Sequence, residues 1–151
     1  MKRQKTEHLI KKRIQTITTV ILRDLGFNLF DVSYSLTDDN GIRELNSKYR
    51  HINRTTDVLS FPQYDFYRGD LREPILLCNS KIPLGDVVIS LETIMRRSRS
   101  QKRRFNDYLL KVVIHAILHL IGFDHTERSE RKIMREKEMA LYKIYRKEFF
   151  V

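Results

Sequence analysis

The chain has one cysteine, no tryptophan, three prolines and five glycines in 151 residues. A lone Cys78 cannot close an intrachain disulfide, which excludes a disulfide-stapled scaffold and favours a reducing compartment. So little proline and glycine excludes collagenous, low-complexity and linker-rich readings. Long hydrophobic runs are missing too. The longest apolar stretch, around residues 108–123, is interrupted by Lys111 and two histidines and falls short of a membrane span. The N-terminal MKRQKTEHLIKKRIQ is basic but has no uninterrupted apolar segment, so no secretory signal is expected. The expectation is a cytoplasmic protein without a membrane partner. At this length one domain spanning 1–151 is expected, with a single core that needs no staple.

What is present is an excess of positive charge, and it is local. Lys and Arg number 29 against 19 for Asp and Glu, a formal net charge of +10. Residues 1–13 carry +5 and residues 95–104 carry +6, so the rest of the chain sums to −1. Such concentration suggests a polyanion footprint more than a generally cationic surface, although solvated segments would look the same.

Hydrophobic periodicity gives the elements. Ile10, Ile14, Ile17 and Ile21 fall at helical spacing and Gly26 supplies a stop. Phe30, Val32, Tyr34 and Leu36 alternate with polar residues, a half-buried strand. A short helix through Leu45 and Tyr49 follows, then a strand in TTDVLSFP, Thr55 to Pro62. From Gln63 to Pro83 the signal is weak, with a short apolar run at Ile75 to Cys78 that would suit a strand. Another strand, VVIS, follows Gly85-Asp86. Helices are expected from Leu91 into the basic run, from Phe105 to Ile121, and from about Glu127, capped by Thr126, to the C-terminus. Strands in the first half and helices at both ends give an α+β fold, a small sheet flanked by helices.

The chemistry concentrates in HAILHLIGFDH, residues 115–125. His115 and His119 are four apart and share one face of a helix that is otherwise apolar nearly all round. Imidazoles turned inward from such a helix need partners. Gly122 ends the helix where a positive φ is tolerated, and a reversal there returns His125 towards the other two. Three imidazoles fill three corners of a tetrahedron and leave the fourth open, the pattern of a catalytic zinc site. Neutral imidazole also takes copper, iron and nickel. His8 and His51 have no such context and read as surface residues. Asp124 is placed either to orient a ligand imidazole or to cap the turn.

The same spacing belongs to the metzincin proteases, where a Glu directly after the first His is the general base. Here that residue is Ala116, which cannot accept a proton. A metzincin-like hydrolase is therefore a minor alternative, and Met134 downstream is better explained by packing. The run Arg96, Arg97, Arg99, Lys102, Arg103 and Arg104 leads directly into the histidine helix. Cations before a helix N-terminus oppose its dipole, so contact with a polyanion backbone by counterion release is the favoured reading of these six, and the resemblance given next implies that this backbone is RNA.

Taken together, the Leu45-Asn46 to Tyr49-Arg50 segment, TDVLSFP at Thr56 to Pro62, LGDVVIS at Leu84 to Ser90 and HAILHLIGFDH resemble the YbeY family of bacterial single-strand-specific endoribonucleases. Ala116 stands where that family usually has Gly, and Phe123 where it often has Tyr. The stretch Gln63 to Pro83 is longer than usual for it. The resemblance implies a small mixed sheet flanked by helices and one zinc ion per chain on His115, His119 and His125. It implies an enzyme that processes ribosomal RNA, matures the small-subunit RNA 3′ end and serves ribosome quality control. Its partners would then be ribosomal RNA, the small ribosomal subunit, and ribosomal or assembly proteins. It also implies that Arg50 is needed for activity; by position alone Arg50 is a cation suited to a helix C-terminus. A third reading, from another class, is a non-catalytic ribosome assembly factor with a structural metal.

Overall fold

A computed structural model describes residues 1–149 of the chain. The elements run α1 (Lys2–Asp24), β1 (Phe30–Thr37), α2 (Asp39–Arg50), β2 (Val58–Pro62), β3 (Phe66–Tyr67), β4 (Asp70–Leu71), β5 (Ile82–Ser90), α3 (Leu91–Ser100), α4 (Phe105–Leu120) and α5 (Arg128–Tyr145). Three strands form a sheet in the order β1-β5-β2, with β1 parallel and β2 antiparallel to β5. The sheet is therefore mixed, as expected. β3 and β4 form a separate two-stranded hairpin.

The core follows from the periodicities. α1 buries Ile10, Ile14, Ile17 and Ile21 and stops before Gly26, whose φ is +84°. In β1, Val32 and Tyr34 face inward, and the Tyr34 hydroxyl is satisfied by Thr18 Oγ1 at 2.7 Å. The central strand β5 contributes Leu84, Val87 and Ile89, and α4 contributes ten buried residues from Tyr108 to Leu120. One cluster joins α1, β1, β5, α4 and α5. Across β2 and β5 the pairs Ser60↔Val87 and Pro62↔Gly85 face the same way. A Cβ on Gly85 would lie 2.4 Å from the Phe61 carbonyl oxygen and 2.7 Å from Leu120 Cδ2, so that side of the sheet looks towards α4. Glycine there lets the last turn of the histidine helix sit directly on the sheet.

Several boundaries depart from the sequence reading. β2 begins at Val58; ahead of it the Asp57 carbonyl accepts from the Ser90 amide at 3.0 Å, and residues 55–57 continue along the wall of a cleft. β5 starts earlier, at Ile82, where it pairs with Phe30. Ile75 to Cys78 is not a strand; Leu76 and Leu77 are 94% and 74% exposed and have nothing to pack on. Glu127, not Thr126, occupies the N-cap of α5, because the Thr126 hydroxyl is donated to Asp124 Oδ2 at 3.0 Å. That helix ends at Tyr145; its expected continuation to Phe150 and Val151 lies outside the described residues.

Candidate metal centre and cleft

On α4 the residues Asp107, Lys111, His115 and His119 recur at four-residue steps and are all half-buried, a single polar stripe on a helix otherwise in the core. His115 and His119 come from its last two turns, and their ring centroids are 4.6 Å apart. The chain then reverses at Gly122, whose φ is +89°. A Cβ at Gly122 would meet the Phe66 carbonyl oxygen at 2.1 Å, so conformation and space both require glycine. The reversal is pinned by the β3–β4 hairpin: the Gly69 amide donates to the Ile121 carbonyl at 2.7 Å and the Arg68 amide to the Gly122 carbonyl at 3.2 Å. His125 is thereby returned to 4.9 Å from the His119 ring and 5.6 Å from the His115 ring. The ligand nitrogens of the three histidines lie within 4.8 Å of one another.

The surroundings keep the His119 ring in the form that binds a metal. Burial first, and then the neighbouring His115 and His125, push His119 down to about 4, so it is neutral at neutral pH. Glu138 Oε1 lies 2.5 Å from His115 Nδ1. With the carboxylate accepting there, Nδ1 carries the hydrogen and Nε2 keeps a free lone pair. Such an outer partner fixes ring orientation and raises ligand basicity. Asp124 does not play this part. Its Oδ1 accepts from the His125 amide at 2.7 Å and its Oδ2 from Thr126, so it caps the turn. Glu138 was missed in the sequence reading, yet a signal existed: it falls four residues after Met134 and three before Leu141, on the buried stripe of α5.

Two hollows flank the histidines, about 470 and 480 Å³ in volume, and they meet at Arg50, Ser60, His119 and His125. Arg50 is the last residue of α2. The helix ends there because His51 turns left-handed at φ 60°, and buried Asn46 ties the following loop down by donating to the Arg54 carbonyl at 2.9 Å. This explains the Asn46 and Arg50 spacing: one residue anchors the loop and the other projects into the cleft. The first hollow also holds Arg54 and Arg97, whereas the second is walled by Phe66, Tyr67 and Phe123. Tyr67 is exposed, with the Arg68 and Arg72 guanidinium groups over its ring at 5.2 and 5.1 Å from the centroid, an aromatic and cationic wall that the sequence reading did not find.

The basic run is divided. Arg96 is paired with Asp39 at 2.7 Å, and Arg97 with Asp57 at 2.9 Å, where the Tyr108 hydroxyl also donates. Arg99, Lys102, Arg103 and Arg104 are exposed and in no ion pair among the described residues. A second basic face, absent from the sequence reading, is formed by Arg128, Arg131, Lys132 and Arg135 at the start of α5, all exposed. His8 and His51 are exposed as expected.

The donor set fits a metal ion. Three imidazoles converge, no hydrogen bond links the three rings among the described residues, and one ring is already oriented from behind by a carboxylate. His115, His119 and His125 would hold the ion, and no fourth His, Cys, Asp or Glu joins the group among the described residues. That leaves a coordination position open, as a catalytic site requires.

The comparisons with known proteins agree with this geometry. The profile of a family described as Endoribonuclease YbeY matches residues 1–146. A protein named Endoribonuclease YbeY from Caldicellulosiruptor bescii is 39% identical over 132 residues, covering 87% of this chain and 84% of its own length. One of the same name from Clostridium botulinum is 31% identical, with 93% and 91% covered. A Thermotoga maritima protein solved in solution superposes with a TM-score of 0.62 at 26% identity, over 90% of this chain and 81% of that one. Sequence, fold and histidine geometry converge, and the chain belongs to the endoribonuclease YbeY family.

Proposed function

We propose that the chain, acting as one domain over 1–151, is a zinc-dependent endoribonuclease that cuts single-stranded ribosomal RNA. Its place would be the cytoplasm, in maturation of the small-subunit RNA 3′ end and in ribosome quality control, with the small subunit and ribosomal or assembly proteins as partners. The observation that carries the reading is the junction of the two hollows, where a guanidinium meets two of three convergent histidines. Zinc, when bound, activates water at neutral pH and polarises a phosphoryl oxygen.

The chain's own residues supply the rest. Glu138 holds His115 in the tautomer that leaves Nε2 free. Arg50 offers a planar fork matched to phosphate oxygens, aimed at the place where charge develops during phosphoryl transfer. Arg54 and Arg97 make the first hollow suited to a neighbouring phosphate, and the aromatic wall of the second suits an unstacked base. A base can enter such a hollow only when it is free of its complement, which favours single strands. Arg99, Lys102, Arg103 and Arg104, together with the basic face of α5, extend the positive surface beyond the cleft. Arg96 and Arg97 offer RNA less charge than the free cations do, because Asp39 and Asp57 already pair with them. No helix among the described residues is long and apolar enough to cross a membrane.

The protease alternative is disfavoured because Ala116 is fully buried and brings no base to the histidines. The assembly-factor reading is disfavoured by the open coordination position. The test is cleavage of single-stranded and duplex RNA by wild type, His115→Ala and Arg50→Ala, with metal content measured for each. Expected are single-strand cleavage by wild type, loss of zinc and activity in His115→Ala, and retained zinc with weak cleavage in Arg50→Ala. Unchanged zinc in His115→Ala would sink the ligand assignment.

A further inference from the structure

Among the described residues, Ser60 Oγ is the one buried side-chain polar atom without a hydrogen-bond partner in the chain. A buried hydroxyl left unpaired costs folding free energy, so its retention calls for a reason. Its position supplies one. Ser60 sits on β2, paired with Val87, on the side of the sheet that looks towards the histidine helix. Among the described residues it is one of four that line both hollows, the others being Arg50, His119 and His125. Its neighbours Leu59 and Phe61 alternate to the other side, where Phe61 packs edge-on against Tyr49 of α2. Ser60 therefore borders the junction, although its Oγ is itself shielded from solvent.

We propose that Ser60 is a substrate-contacting residue, whose side chain rotates on substrate arrival so that its hydroxyl donates to a phosphate oxygen of RNA lying across the junction of the two hollows. This rests on the nuclease reading and adds to it where the substrate sits: one nucleotide in the arginine-lined hollow, the next against the aromatic wall, and the phosphate between them shared by Arg50 and Ser60. A phosphate oxygen is the acceptor that fits. In a single strand the group between two adjacent nucleosides is a phosphate, and Arg50, the one arginine or lysine common to both hollows among the described residues, is at the same place. Ser60 thus gains its hydrogen bond when substrate arrives, and that bond is charge-assisted.

The experiment pairs Ser60→Ala with Ser60→Thr, which keeps the hydroxyl on a strand residue. It reads zinc content, unfolding midpoint in the metal-free chain, binding of a single-stranded RNA oligonucleotide to the metal-free chain, and cleavage. Expected for Ser60→Ala are unchanged zinc, a midpoint equal to or above wild type, weaker RNA binding and a fall in kcat/KM of about 10- to 100-fold. Ser60→Thr recovers much of that loss. Cleavage and binding equal to wild type in Ser60→Ala overturn the proposal, and so does a lower midpoint or lost zinc, which would mark a structural role. Wild type that binds the RNA without cutting it defeats the nuclease reading alone, because the binding loss in Ser60→Ala still decides for Ser60. Wild type that does not bind RNA overturns both.

Discussion

Arg97 and Arg103 stand six residues apart in one basic run, but the fold treats them differently. Arg97 is half-buried and held by Asp57, itself held by Tyr108, at the edge of the cleft. Arg103 is exposed, in a loop before α4. Density of charge along a sequence thus says little about its use. A held cation fixes the shape of a site and resists salt, whereas a free one attracts a polyanion at long range and is screened within about 10 Å at 0.1 M salt. Arg50 combines the two conditions, anchored at a helix end yet open to the cleft.

The contrast can be broken by substitution. Arg50→Ala is expected to have the largest effect, a loss of cleavage of about 100-fold or more at unchanged zinc content and unfolding midpoint. Removal of a held cation comes next. Arg97→Ala leaves Asp57 with the Tyr108 hydroxyl alone, and should cost about 1–2 kcal/mol, between an exposed pair and a fully buried one. A lower urea midpoint at unchanged m-value would show it. An unchanged midpoint would mean that Arg97 is as free as Arg103.

Arg96→Ala should cost less, and in a pH-dependent way. Partial burial pushes the Asp39 carboxyl up, but hydrogen bonds from Thr93, Arg96 and Ser90 outweigh it and hold it below the ordinary carboxylate range. A carboxyl whose folded pKa is depressed lends stability above its unfolded pKa, about 3.9, and loses it as pH falls through the folded value. Arg96→Ala should therefore be less stable than wild type at pH 7, and the two should converge as acid titrates Asp39. A constant gap down to pH 2 would show that Arg96 acts otherwise. The free cations should change stability least. Lys102, Arg103 and Arg104 replaced together by Gln should leave the midpoint alone and flatten the salt dependence of single-stranded RNA binding, by a slope of about 0.7 per lost phosphate contact. The same change at Arg128, Arg131, Lys132 and Arg135 tells which free surface the RNA follows; the slope should fall at one or both.

The sequence carried most of the fold because its long elements have strong periods. Ile10, Ile14, Ile17 and Ile21 repeat at helical spacing and are buried, and Phe30 to Leu36 alternate at period two with Val32 and Tyr34 buried. Leu109 to Leu120 form a helix apolar on most sides that lies in the core. The histidines were legible for the same reason, since a helix fixes the relative direction of His115 and His119. The hairpin was not legible, because strands of two residues have no period to detect. Asp57 and Glu138 escaped because their partners are 40 and 23 residues away, separations that only tertiary folding closes. Ser60 escaped for a different reason: a small polar residue facing inward from a strand is ordinary until its hydrogen bonds are traced.

Two of the proposed metal ligands stand on a helix, and the third hangs from a turn whose backbone is clamped by Arg68 and Gly69. The long connection between β2 and β5 is therefore under unequal constraint. Residues 66–69 set the path of His125 and cannot lengthen without moving it, and Glu73 ties down their base by accepting from the Asp65 amide at 2.8 Å, whereas residues 74–80 carry the exposed Leu76 and Leu77. Insertions and deletions across the lineage should accumulate in the second part and stop at the first.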